Sequence, residues 1–375
     1  MKRFLAIICL ALVGSGCTSD KPTATRPSPS PSSDRSISVV FGVGSYSHNG
    51  FFRASLKTLD EERLPASHSG PFKTYNVKGS PDGRLIAGYT YVQGDAIPSL
   101  SELEVSSAVS PGAERTVATH RNMQIVQVMW GDASTLFYTT IAERTRDSKI
   151  DVRTINADGS GERLITTLDQ VIGEARFKRP SKGIEYRLEA ADMRKGIIYL
   201  SKRRQSTVEV VRIAIADGRQ SALPGNTVTS ESFAFSPDGS TVYYCTKTEL
   251  IARQLSDGKE RTVFRFASEA TRYAQEVSPR GDALTLREAI GSRWPDYMLT
   301  LKNGRYVPLV FQAKAGTFSR WSPDGSYLWF ECKCGPGGRE RPVLMDVAAE
   351  TSRMISYAFT DKDDHPIFQT WLVTS

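Results

Sequence analysis

The chain has 375 residues, 39% of them hydrophobic, and a formal net charge of +7 at neutral pH. This length suggests two or three ordinary domains, although a repeat architecture can occupy it as one closed body. Lys and Arg are scattered and no basic helix is predicted, so we expect no nucleic-acid partner.

The first residues have the pattern of an export signal. Met1-Lys2-Arg3 precede an apolar run from Phe4 to Val13, and Gly14-Ser15-Gly16 follow it. The run is too short to span a bilayer as a helix, which needs about 20 apolar residues. We therefore predict a signal peptide over residues 1–16.

Cys17, directly after this run, resembles the lipidated cysteine of the bacterial lipoprotein box, although Gly14 stands where that box usually has Leu. The resemblance implies an acylated N-terminal cysteine carrying fatty acids such as palmitate, and a protein anchored in the cell membrane on its extracytoplasmic side. The alternative is an ordinary secretory signal cleaved at a nearby small residue. Residues 17–36 are rich in Ser, Thr and Pro, which predicts an extended tether.

One turn motif recurs through the rest of the chain. The motif is Ser-Pro-Asp-Gly, with Arg in place of Asp in one copy. Its Ser can bond back to the backbone, its Pro presets φ at the second position and its Gly closes the fourth, as a type I turn prefers. An apolar run that reads as a strand follows each copy. The copies are Ser80-Pro81-Asp82-Gly83, Ser236-Pro237-Asp238-Gly239, Ser278-Pro279-Arg280-Gly281 and Ser322-Pro323-Asp324-Gly325.

Degenerate copies near 131 and 192 complete a series that starts near 80, 131, 192, 236, 278 and 322. Asp-Gly pairs such as Asp217-Gly218 and Asp257-Gly258 predict a second hairpin later in the period. Each period therefore has room for four strands, as in a propeller blade.

Together these motifs resemble the TolB-like (WD40-like) β-propeller repeat over roughly residues 37–375. The resemblance implies an all-β propeller of four-stranded blades. It does not carry a function, because propellers serve many roles.

The two ends of this region predict how the ring closes. The stretches 38–43, 51–56 and 62–64 read as the second, third and fourth strands of a blade that lacks its first, and Pro366 to Leu372 supplies that strand. Six complete repeats plus this shared blade predict seven blades, with six as the alternative if the ends pair differently.

Loops between second and third strands are expected to share one face with the connections between blades. Basic and aromatic residues in these loops form a candidate binding face for an anionic partner, because arginine forks suit carboxylates and phosphates and an indole can stack on a sugar. The alternative is that these are ordinary solvated loop residues. The candidates are Lys202, Arg203, Arg204, Arg293, Trp294, Arg339 and Arg341.

No catalytic residue, cofactor or metal site is predicted. The acidic run Asp361 to His365 is interpreted as a solvated loop, and Trp130, Trp321, Trp329 and Trp371 as core residues. The oxidation state of Cys245, Cys332 and Cys334 is left open.

We therefore expect a non-catalytic, membrane-anchored propeller that binds or scaffolds an envelope protein or an anionic polymer. The motifs of serine hydrolases, phosphate loops and zinc proteases are absent from the sequence. The alternative is a polysaccharide lyase or another propeller hydrolase that acts on envelope polymers.

Overall fold

The computed structural model describes most of the chain from Ser36 to Thr374, which forms one compact unit. The residues that it describes are 36–44, 49–55, 61–63, 78–92, 100–107, 115–142, 149–169, 184–204, 207–223, 232–291, 294–309, 319–332, 341–355 and 365–374. Within these ranges there is no helix, and hence none that is long and apolar enough to cross a bilayer.

The described strands form seven four-stranded antiparallel sheets, which confirms the predicted propeller and its blade count. From the innermost strand outward, blade 1 consists of β4(Lys78–Gly79), β5(Leu85–Val92), β6(Leu100–Ser107) and β7(Arg115–Arg121). Blade 2 consists of β8(Met123–Trp130), β9(Thr135–Ala142), β10(Lys149–Asn156) and β11(Arg163–Asp169). Blade 3 consists of β12(Ile184–Asp192), β13(Ile197–Arg204), β14(Thr207–Ala214) and β15(Gln220–Ala222).

Blades 4 to 7 continue the pattern, and the last blade combines both ends of the described chain. Their strands are β16(Phe233–Phe235), β17(Thr241–Cys245), β18(Glu249–Gln254) and β19(Glu260–Arg265); β20(Thr271–Val277), β21(Ala283–Ala289), β22(Asp296–Thr300) and β23(Arg305–Pro308); β24(Arg320–Trp321), β25(Tyr327–Cys332), β26(Arg341–Asp346) and β27(Thr351–Met354); β28(His365–Thr374), β1(Ser36–Gly44), β2(Asn49–Ser55) and β3(Glu61–Arg63).

Blade 7 closes the ring as the sequence predicts. Strand β1 pairs with β2 on one side and with β28 on the other, from Ser36 opposite Thr374 to Gly44 opposite His365. Strand β28 in turn contacts β4 of blade 1 and β26 of blade 6. The innermost strand of the closing blade therefore lies against both neighbouring blades.

Each of blades 1 to 5 packs on the next through apolar side chains. Leu103 of blade 1 shares a core with Ile125 and Tyr138 of blade 2, and Met298 of blade 5 shares one with Leu328 of blade 6. Trp130, Trp321 and Trp329 are buried, as predicted for core residues. The side chain of Trp371 lies outside the described residues.

The recurring turns follow the predicted chemistry. In blade 1 the Ser80 hydroxyl donates to Asp82 at 2.6 Å and also accepts the Leu85 amide, while Gly83 adopts φ of 71°. Where Arg280 replaces the usual Asp, Ser278 donates to Asp282 instead, at 2.6 Å. Because Asp282 accepts the Ser278 bond, the Arg280 side chain can extend to the next blade, where it donates to the Asp324 carbonyl at 2.6 Å.

Because successive strands of a blade run in opposite directions, their connections lie alternately on two faces of the propeller. The turn face carries the Ser-Pro-Asp-Gly turns and the hairpins between third and fourth strands. The connection face carries the hairpins between second and third strands and the links from each blade to the next. Each innermost strand therefore runs from the connection face to the turn face.

Candidate active site

Charged residues occupy the same place on three innermost strands. Lys78, Glu276 and Arg320 each stand two residues before the Ser of a turn, on β4, β20 and β24. Each pairs with the third residue of its neighbouring strand: Ala87, Thr285 and Trp329, respectively. The repeat thus places these residues at the same level of the innermost strands of blades 1, 5 and 6, which enclose the axial space.

Two buried tryptophans fix the backbone of this set. The Trp130 indole donates to the Lys78 carbonyl at 2.8 Å, and the Trp321 indole donates to the Glu276 carbonyl at 3.3 Å. In both pairs the indole belongs to the following blade. The predicted core tryptophans therefore also hold the backbone of two of these charged residues, Lys78 and Glu276, in place.

Glu189 joins the group from blade 3. It is the extra residue of a β-bulge in β12, because Leu188 pairs with Leu200 and Ala190 with Tyr199. Bulges redirect side chains. The Ser201 hydroxyl donates to Glu189 Oε1 at 2.6 Å, and the Leu188 amide donates to Gln127 of blade 2 at 2.9 Å.

The four axial residues are Lys78, Glu189, Glu276 and Arg320, and Lys78 connects them electrostatically. Arg320 Nη1 lies 3.8 Å from Glu276 Oε2, and Lys78 feels the charges of the other three. Side-chain exposures of 33% for Arg320 and 36% for Glu276 show that the axial space is open to solvent. Nevertheless Glu276 Oε2 is itself covered and has no hydrogen-bond partner.

This environment shifts the pKa values of three of the axial residues toward neutral pH. Poor solvation raises the pKa of Glu189 to about 7, against the opposing effects of Ser201 and the nearby cations. Poor solvation and Arg320 lower the pKa of Lys78 to about 8. Lys78 is nevertheless an exposed residue, so a ligand can reach it. Burial also raises the pKa of Glu276.

These groups together can perform acid–base chemistry on an anion. Around pH 7.5, Glu189 is mostly a carboxylate that can accept a proton and Lys78 is mostly an ammonium that can donate one. Arg320 offers a guanidinium that can bind a carboxylate or phosphate. Shifted pKa values of this kind are typical of functional sites.

The predicted binding residues of blade 3 lie on a strand rather than in a loop. Lys202, Arg203 and Arg204 end β13, where successive side chains alternate between faces. Lys202 pairs with Glu209 at 3.7 Å, whereas Arg203 lies opposite Glu185 and its charge acts on Glu189. The three therefore do not form one patch, but Arg203 joins the surroundings of the axial site.

Two of the remaining predicted site residues, Trp294 and Arg341, lie at the connection-face ends of blades 5 and 6. Trp294 packs against Tyr273, with ring centroids 5.7 Å apart, and Arg341 begins β26. Cys17, Arg293 and Arg339 lie outside the described residues, as do residues 361–364 of the acidic run.

Among the described side chains, no group of three His, Cys, Asp or Glu residues could hold a metal ion. Cys245 is a buried free thiol in blade 4, and burial raises its pKa to about 12. The side chain of Cys332 and the whole of Cys334 are outside the described part of the chain.

No protein-family model and no curated protein matches this sequence. Solved structures do match its fold. A protein named provisionally as a 6-phosphogluconolactonase, from Bacteroides fragilis NCTC 9343, is 14% identical with a TM-score of 0.56, and the match covers 93% of this chain and 100% of that one. An oligogalacturonate lyase in complex with manganese is 11% identical with a TM-score of 0.50, and covers 87% and 88%.

TolB from Acinetobacter baumannii is also similar, at 13% identity and a TM-score of 0.41 over 74% of this chain and 70% of that one. The comparisons establish a propeller fold but not membership of the TolB-like family. They also correct one expectation. We expected a protein that is not an enzyme, whereas several of the propellers that match over most of both chains bear the names of a lactonase or a lyase.

Proposed function

We propose that this protein is an acid–base enzyme that acts on an anionic sugar polymer, and that its active site is formed by the four axial residues. The observation that supports this proposal best is the convergence of two cations and two carboxylates from four blades on one solvent-open space. Charged groups whose pKa values are shifted toward neutrality are typical of functional sites, and a purely structural axis does not require them.

In the proposed reaction a uronic acid unit is cleaved by elimination. Arg320 binds the carboxylate of the sugar and stabilises the charge that develops on it. Glu189 takes the proton from the carbon next to that carboxylate, a carbon–carbon double bond forms, and the glycosidic carbon–oxygen bond breaks. Lys78 donates a proton to the departing oxygen, and Glu276 orients Arg320.

Lactone hydrolysis is the second candidate, because the lactonase-named propeller matches over its full length. The same groups would serve: Glu189 would activate water, Arg320 would stabilise the oxyanion and Lys78 would protonate the alkoxide that leaves.

A panel of substrates tests the proposal and separates the two reactions. We expect the purified protein to release unsaturated products, detected by their ultraviolet absorbance, from at least one uronic acid polymer such as polygalacturonate or alginate. Acid release from gluconolactone without such absorbance would favour the lactonase. The absence of both activities at pH 7.5, with and without added divalent cations, would contradict the proposal.

We further propose that the propeller is tethered to the extracytoplasmic side of the cell membrane through Cys17, where it would meet envelope polymers. The export signal and the Ser/Thr/Pro-rich segment support this proposal. We also propose that the repeats are related to the TolB-like repeat, and the Ser-Pro-Asp-Gly turns with the later Asp-Gly hairpins support this proposal.

Lipidation has a direct test. Intact-mass analysis of the protein extracted from membranes should show a polypeptide that begins at Cys17 and carries diacylglycerol, whereas Cys17→Ser should remain unlipidated and leave the membrane fraction. A wild-type protein that begins elsewhere, or that lacks the lipid, would disprove the anchor.

A further inference from the structure

An aromatic pair stands at the connection-face end of blade 5. Tyr273 is the third residue of the innermost strand β20, and Trp294 precedes β22. Their rings are 5.7 Å apart and inclined by 38°. Both side chains are only partly buried, and Ile290 of the same hairpin is 50% exposed. The pair thus presents an apolar surface beside the axial space.

The segment that carries Trp294 is held firmly. Asp296, two residues on, receives two hydrogen bonds from Arg287, at 2.8 and 2.9 Å. The Pro295 carbonyl accepts the Glu288 amide at 3.0 Å. A stacking surface that is fixed before binding loses little conformational entropy when a ligand arrives.

A continuous polar path leads from this pair to the axial residues. Arg272 and Ala274 face blade 4, where Arg272 lies 4.0 Å from the Phe266 ring. Tyr273 and Glu276 therefore share the opposite side of β20, which faces blade 6. Three strand residues span roughly 10 Å, a length comparable to two sugar rings.

Gln275 lies along this path as the extra residue of the β20 bulge. Its amide nitrogen donates to Asp296 at 3.4 Å and its oxygen accepts the Ser319 hydroxyl at 3.2 Å. The amide is thus fixed between the aromatic pair and Glu276, with Arg320 next to Ser319 in the sequence.

We infer that Tyr273 and Trp294 form a stacking subsite for the sugar unit next to the one that reacts, so that the substrate is an oligomer of uronic acid entering from the connection face. The inference rests on the proposed function. Apolar rings suit a sugar face, and the cations Arg320 and Lys78 further along the path complement its carboxylates.

Calorimetric binding of galacturonate and its trimer tests the subsite. Measurements use the full chain with Glu189→Gln, in which turnover should not deplete the probe, and are repeated with Glu189 restored. We expect Trp294→Ala to weaken trimer binding by about tenfold and monomer binding by less than twofold, because only the trimer reaches the aromatic pair. Trp294→Phe should retain most of the affinity.

The control is Leu164→Ala, since Leu164 is a similarly exposed apolar residue (47%) on the outer strand β11; it should leave both affinities unchanged. Equal loss of monomer and trimer binding in Trp294→Ala, unchanged trimer binding, or no trimer binding by the wild type would each overturn the inference. Trp294-dependent trimer binding without turnover would instead refute the proposed chemistry and leave the subsite standing.

Discussion

Glu189→Gln is expected to lower kcat by about 100- to 10,000-fold on whichever substrate the panel identifies, because the amide cannot accept the proton that the reaction removes. The change preserves size, and the oxygen of the new amide can still accept the Ser201 hydroxyl. The expected loss is therefore in kcat far more than in KM.

The pH dependence gives this prediction an independent readout. Activity of the wild-type enzyme should rise as Glu189 loses its proton near pH 7 and fall as Lys78 loses its proton near pH 8, which gives a narrow maximum near pH 7.5. The residual activity of Glu189→Gln should lack the rising limb.

Glu209→Gln is the matched control, since Glu209 is 43% exposed and pairs with Lys202 on the neighbouring strand β13. It should keep the wild-type rate and pH profile. A Glu189→Gln variant within threefold of the wild-type rate would remove Glu189 from the mechanism.

Gly218→Ala should destabilise the fold far more than Gly196→Ala, although both glycines have positive φ, of 70° and 64°. A Cβ at Gly218 would lie 2.0 Å from the Ile165 carbonyl oxygen of blade 2, whereas one at Gly196 would meet nothing within 4 Å. The Gly196→Ala variant carries only the backbone strain, about 1 kcal/mol. The Gly218→Ala variant must also separate two blades, and we expect a loss of about 3 kcal/mol or more.

Denaturant unfolding of the two variants, compared with the wild type, measures the difference. Equal losses would mean that blades 2 and 3 can shift apart at the Gly218 contact with little cost. Because both variants change Gly to Ala at positive φ, their effects on the unfolded chain should cancel in the comparison.

The fold could be predicted because its signals are local. The Ser-Pro-Asp-Gly turns specify their conformation within four residues, and the three N-terminal strands of blade 7 indicate that a fourth strand must complete the blade. The strand end Lys202 to Arg204 resembles a loop in the sequence, since a strand that emerges into solvent loses its apolar alternation. For this reason the predicted loop position of these three residues is wrong.

The axial site could not be predicted because its members are far apart in the chain and belong to no known catalytic motif. One signal was available: Lys78, Glu276 and Arg320 each stand two residues before a turn Ser. A charge that recurs at one position of a repeat is brought to one place by the ring. Glu189 carried no such signal, because a bulge moves it out of register.

The pairing of β1 with β28 has a consequence for how the molecule is made. The first described strand pairs with a partner that is synthesised after all the other described strands, so ring closure joins residues separated by nearly the whole described chain. Contacts of such long range slow folding. Until β28 arrives, β1 is an unpaired edge that can recruit strands from other chains. We therefore expect the newly made protein to depend on chaperones until β28 has paired with β1.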